Sequence, residues 1–122
     1  MNFAFWCVLA AAVLPYLTTM LAKSGGFDNH SPRETLAGLT GWRQRADWAQ
    51  RNHFEAFPAF AAAVIIAVLT HAPQGRIDLL AGAFILLRVV YTGVYLADWA
   101  SIRSVIWFAG LGCVVALFAA GA

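Results

Sequence analysis

The sequence predicts an all-α integral membrane protein, four helices in an up-down bundle that forms a single transmembrane domain over residues 1–122. Three observations lead there. Of its residues 61% are hydrophobic and only 11% charged, where a soluble domain carries about a quarter. The apolar residues gather into four stretches of about 20, each enough to cross a hydrocarbon layer. The segments between them are short except for one, so almost nothing is left for a soluble domain.

The first stretch, residues 3–22, has no Lys or Arg before it and is long for the apolar region of a secretory signal, so it reads as a span. Pro15 is tolerable there because neighbouring helices can satisfy the freed carbonyl. Lys23-Ser24-Gly25-Gly26 ends the span as a flexible turn. In the loop over residues 23–53, Ser31, Pro32 and Glu34 make a capping box that opens a short helix, Pro32 to Ala37, ending near Gly38. Helix-compatible sequence restarts at Trp42 and continues through Arg51 into the second span, residues 54–70. That helix is therefore longer than its apolar part, and Pro58 is placed to kink it. His71 to Arg76 is a Pro- and Gly-marked turn, and residues 77–97 form the third span. A second turn at Asp98 to Ser101 leads to the fourth, residues 102–120, whose Ala109, Gly110, Gly112, Ala116 and Ala119 permit close helix approach.

Basic residues set the orientation. Lys23, Arg33, Arg43, Arg45, Arg51 and Arg103 fall on one side and Arg76 alone on the other. The loop 23–53 is thus expected in the cytoplasm and both termini across the membrane. A net charge of +2 gives no reason to expect a nucleic-acid partner. Cys7 and Cys113 are isolated within spans and read as small packing residues, with no metal-ligand spacing. Trp6, Trp42, Trp48, Trp99 and Trp107 fall mostly near span ends, as interfacial aromatics do.

Two charges sit where lipid would make them expensive: Glu55 in the first turn of span two and Arg88 midway along span three. Glu55 lies 16 residues before His71, and Arg88 lies 12 after Arg76. On antiparallel neighbours their depths differ by about one to two turns, which long side chains can bridge. An ion pair that only fixes helix register is one reading. The surroundings point further. Arg51, Asn52 and Glu55 share a helical face, and Arg88, Tyr91 and Tyr95 share another. Arg51 and Arg103 add guanidiniums at the same end. That surplus of positive charge and hydrogen-bond donors suits an anion with several carboxylates. His53 reads as interfacial and Asp47 and Asp98 as solvated or capping charges. Ser104 reads as either a backbone cap or a donor to a ligand thiolate.

The ordered set Arg51-Asn52-x-x-Glu55-x-x-Pro58-x-Phe60, then Arg88-x-x-Tyr91-x-x-x-Tyr95, then Ile102-Arg103-Ser104-Val105 resembles the MAPEG superfamily, the membrane-associated proteins in eicosanoid and glutathione metabolism. It covers spans two to four and the preceding loop, and the stretch from Pro32 through Ala63 is similar to small bacterial members. The resemblance implies a homotrimer in a bacterial inner membrane, with glutathione as co-substrate in clefts between protomers near the cytoplasmic face. Residue by residue, it implies that Arg51, Asn52, Glu55, Arg88, Tyr91 and Tyr95 bind glutathione. Arg103 would stabilise the thiolate, with Ser104 beside it, for transfer to, or peroxide reduction on, a hydrophobic substrate from the bilayer. Tyr91 stands where a prostaglandin-forming member has His, and Trp48 replaces a basic residue one turn before Asn52. Because the family includes a member that binds lipid without catalysis, a lipid-binding or accessory subunit of a larger complex is the alternative. A transporter would need discontinuous paired spans that the sequence lacks.

Overall fold

The computed structural model describes residues 1–122 as five helices: α1 (Phe3–Lys23), α2 (Pro32–Ala37), α3 (Gly41–Leu69), α4 (Gln74–Leu96) and α5 (Ala100–Ala119). All but α2 are long and apolar enough to cross a membrane. They alternate in direction, so α1 and α4 run parallel to each other and antiparallel to α3 and α5. Leu79, Leu86, Val105 and Phe108 face outward, as in a bundle solvated by lipid.

The bundle is held at α3 by a seam of mostly small residues spaced three and four apart: Ala46, Ala49, His53, Ala56, Phe60, Ala63 and Ala67. This spacing keeps one stripe facing the neighbouring helices, and alanine lets the backbones approach. Ala4, Cys7, Ala11 and Ala22 answer from α1, and Ile77, Ala81 and Phe84 from α4. Phe60 and Phe84 stack with ring centroids 4.0 Å apart and planes within 9°. Both cysteines are free, and Cys7 packs in this core. Pro15 and Pro58 lie inside unbroken helices.

Polar side chains close the helix ends. Asn2 caps α1 by accepting from the Phe5 amide, and Asp78 Oδ1 accepts from the Ala4 amide at 3.1 Å, tying the start of α4 to that of α1. At the other end, two arginines in the first turns of α3 donate to carbonyls at or just beyond helix C-termini, where a cation also meets the dipole favourably. Arg43 reaches Ala22 O at 2.8 Å and Gly26 O at 2.6 Å. Arg45 reaches Leu96 O with both Nε and Nη2, at 3.1 and 3.0 Å. Gly25 lies against the Arg43 guanidinium, and a Cβ there would lie only 3.0 Å from it. Asp98 turns the chain between α4 and α5 at φ 62°, a left-handed setting that Asp tolerates better than most residues.

Two local expectations are corrected. Ser31 makes no side-chain cap to α2; its hydroxyl donates to Asp28 Oδ2 instead, so the capping box is not formed. Asp47 is not solvated. It is 1% exposed, accepts from Gln50 Nε2 at 2.9 Å and pairs with Arg51 Nε at 3.2 Å. An aspartate can be buried at this level because the pairing with Arg51 is one helical turn away on its own helix.

Candidate functional site

Arg88 is the organising residue. It projects from the middle of α4 into the α3 seam and is only 5% exposed. Its Nη2 donates to Asn52 Oδ1 at 2.7 Å and lies 2.7 Å from His53 Nδ1, to which Nε also donates at 3.0 Å. His53 Nε2 lies 2.8 Å from the Thr92 hydroxyl, which donates in turn to the Arg88 carbonyl at 3.0 Å. The Arg88 guanidinium also covers the Tyr91 ring, 4.4 Å from its centroid.

The ion pair expected between Glu55 and Arg88 does not form; Arg51–Asp47 is the only salt bridge in the chain. Arg88 stands level with Asn52 and His53, and these neutral acceptors take Nε and Nη2. Glu55 lies nearly a turn further along α3, exposed, with no partner for its carboxylate. The consequence is electrostatic. A buried guanidinium held only by neutral groups keeps its full charge available, and such a charge is costly until an anion meets it. None of the hydrogen bonds uses Nη1, and no fully buried polar side-chain atom lacks a partner, so Nη1 keeps some exposure; Arg88 lines the adjoining cleft and also a much smaller hollow beside His53 and Leu14.

That cleft, about 260 Å³, lies between α3, α4 and α5. Asn52, Glu55 and Arg88 form its polar end, and Ala56, Ala59, Phe84, Gly110, Leu111 and Val114 its apolar depth. Trp107 also lines it and is shared with a smaller cavity bounded by Tyr91, Arg103, Ser104 and Phe108. Arg103 covers the Tyr95 ring at 4.5 Å, and Tyr95 meets Tyr91 edge-on at 5.5 Å. Each tyrosine of the α4 face thus carries one guanidinium on its ring, a cation–π arrangement that orients both charges.

Of the residues singled out in the sequence, Asn52, Glu55, Arg88, Tyr91, Arg103 and Ser104 line these two adjoining cavities, and Tyr95 backs Arg103. Arg51 is separate. It turns to Asp47 and lines a different hollow with Arg33, Leu36, Gln50 and Phe54. The Ser104 hydroxyl donates to Ala100 O at 3.2 Å within its own helix. His53, expected at the interface, is instead 3% exposed and is Arg88's main acceptor. The sequence did carry a signal for it, because His53 falls on the three-four alanine seam of α3. Trp107 lines the cleft as well.

The donor set fits a ligand carrying both signs of charge. Arg88 and Arg103 offer guanidiniums to carboxylates or a thiolate, the Asn52 amide nitrogen is free to donate, and the unpaired Glu55 can accept from an ammonium. A search against protein families matches the MAPEG family over residues 3–122. No curated protein and no solved structure matches the chain.

Proposed function

Because the chain belongs to the MAPEG family, we propose that it is a membrane glutathione-dependent transferase or peroxidase acting on hydrophobic electrophiles. The observation that carries this reading is the buried, uncompensated charge of Arg88 facing a cleft that also holds an unpaired carboxylate. Glutathione has two carboxylates, an ammonium and a thiol, and these groups match that set. Arg88 and Asn52 bind a carboxylate, Glu55 the ammonium, and Tyr91 and Tyr95 hold the two guanidiniums in place. Arg103 stabilises the thiolate, since a cation at hydrogen-bond distance favours the ionised sulfur. When bound, glutathione supplies that thiolate as nucleophile toward an electrophilic carbon, whose leaving group departs as the thioether forms, or toward a peroxide oxygen, whose O–O bond breaks to release an alcohol and leave a sulfenic acid that a second glutathione converts to the disulfide and water. The apolar depth beyond Phe84 and Trp107 accepts the lipid-borne partner. Ser104 serves as a secondary donor once its hydroxyl rotates from Ala100 O.

An exposed Glu55 on a membrane helix is costly against lipid, which supports its being covered by a second copy of the chain as well as by ligand. A homotrimer accommodates that. The basic first loop on the cytoplasmic side of a bacterial inner membrane completes the arrangement. The test is glutathione binding by the purified protein in detergent, followed calorimetrically. Wild type is expected to bind and Arg88→Ala to weaken binding about a hundredfold, the loss of a buried charged pair. No binding by wild type would overturn the reading in favour of a non-catalytic lipid-binding or accessory role.

A further inference from the structure

His53 has a job that its position in the motif does not announce. A guanidinium can only donate hydrogen bonds, so the nitrogen that Arg88 addresses from both Nε and Nη2, His53 Nδ1, must present a lone pair. The ring proton is then on Nε2 and is donated to Thr92 Oγ1, whose single hydrogen goes to the Arg88 carbonyl. The donors run in one direction around a closed circuit: Arg88 side chain, His53, Thr92, Arg88 backbone. Every member of the circuit is buried, and Tyr91 holds the ring from the side at 6.0 Å between centroids. Arg88 is thereby braced to its own helix through a residue of the neighbouring one.

We propose that His53, oriented by Thr92, is a positioning residue: a neutral acceptor that locks the Arg88 fork so that Nη1 is aimed into the cleft. A flexible arginine would lose rotamer freedom each time it met a carboxylate, whereas a pre-oriented one has already lost it on folding. Asn52 holds only Nη2, a single point about which the plane could still rotate. The convergence of Nε and Nη2 on His53 Nδ1 adds a second anchor and fixes the plane. This role rests on the glutathione reading of the same cleft, which it extends to a residue that makes no ligand contact itself.

Two substitutions separate positioning from packing. His53→Asn retains an acceptor near the place of Nδ1 but leaves a void, and His53→Phe fills the space but offers no acceptor. Glutathione affinity is expected to stay within about threefold of wild type in His53→Asn and to fall about tenfold or more in His53→Phe, the scale of one charge-assisted hydrogen bond. Thermal unfolding of the same samples is expected to favour Phe over Asn. Affinity that follows packing, with Phe binding as well as Asn or better, would overturn the proposal. Nitrogen NMR of ¹⁵N-histidine-labelled wild type gives a readout that needs no ligand. It should show an unprotonated Nδ1 and a protonated Nε2, with the Nε2 signal shifting in Thr92→Val. A proton on Nδ1 would refute the circuit outright. If wild type binds no glutathione, the function falls and this role with it; if wild type binds and His53→Phe binds equally, this role falls alone.

Discussion

The α3–α4 seam has two halves built on one spacing but held by different physics. Toward the α3–α4 turn, Phe60, Ala63, Val64 and Ala67 meet Ile77, Ala81 and Phe84 with no polar atom among their side chains. Seven residues along the same stripe from Phe60, His53 replaces an apolar residue, and the contact becomes a charged, directional network with Arg88, Asn52 and Thr92. The apolar half tolerates small adjustments of position and gives stability; the polar half has one geometry and leaves a charge unanswered. Stability and binding should therefore respond to mutations in opposite halves.

The largest expected effect is on the apolar side. Phe60→Ala removes a fully buried ring stacked on Phe84 and should cost about 3–5 kcal/mol, read as a fall in thermal stability in detergent. Glutathione affinity, measured where the variant is still folded, should change by less than about threefold. Arg88→Lys inverts that pattern. An ammonium keeps the charge but cannot satisfy Asn52, His53 and a ligand in one plane, so affinity should fall about tenfold with a smaller loss of stability. Next comes Arg45→Ala, remote from both halves, which releases the Leu96 carbonyl and should cost about 1 kcal/mol with binding unchanged. Ser104→Ala should matter least. Its hydroxyl is engaged with Ala100 O, so conjugation of a generic electrophile should slow by no more than about threefold.

The division also explains what the sequence could convey. Helix type and number follow from composition and run length, which act locally; α3 begins one residue before Trp42 and α4 three before Ile77 for the ordinary reason that polar first turns can join a helix. The polar half was legible in part. Arg88 stands out as the anomalous charge, and Asn52 and Glu55 join it at the polar end of the cleft, whereas the apolar lining from Ala56, Phe84, Trp107 and Val114 carries no signal that sets it apart from ordinary packing. Its partner is harder to read, because an acid is the obvious answer to a base and depth counted along two helices does not separate Glu55 from Asn52 and His53. The alanine spacing would have chosen His53. Arg51 illustrates the opposite limit. Sharing a face with Glu55 on paper did not prevent it from turning to Asp47, since a long side chain chooses among neighbours a turn away in either direction.

The two guanidiniums, Arg88 in the cleft and Arg103 in the smaller cavity beside it, are proposed to divide the work, Arg88 binding a carboxylate and Arg103 stabilising a thiolate. The ultraviolet absorbance of the glutathione thiolate measures this directly when glutathione is titrated into wild type, Arg103→Ala and Arg88→Ala at neutral pH. Wild type should develop the thiolate band on saturation. Arg103→Ala should bind glutathione without the band, while Arg88→Ala should need far more glutathione to reach either. A saturated Arg103→Ala with an undiminished thiolate band would contradict the account.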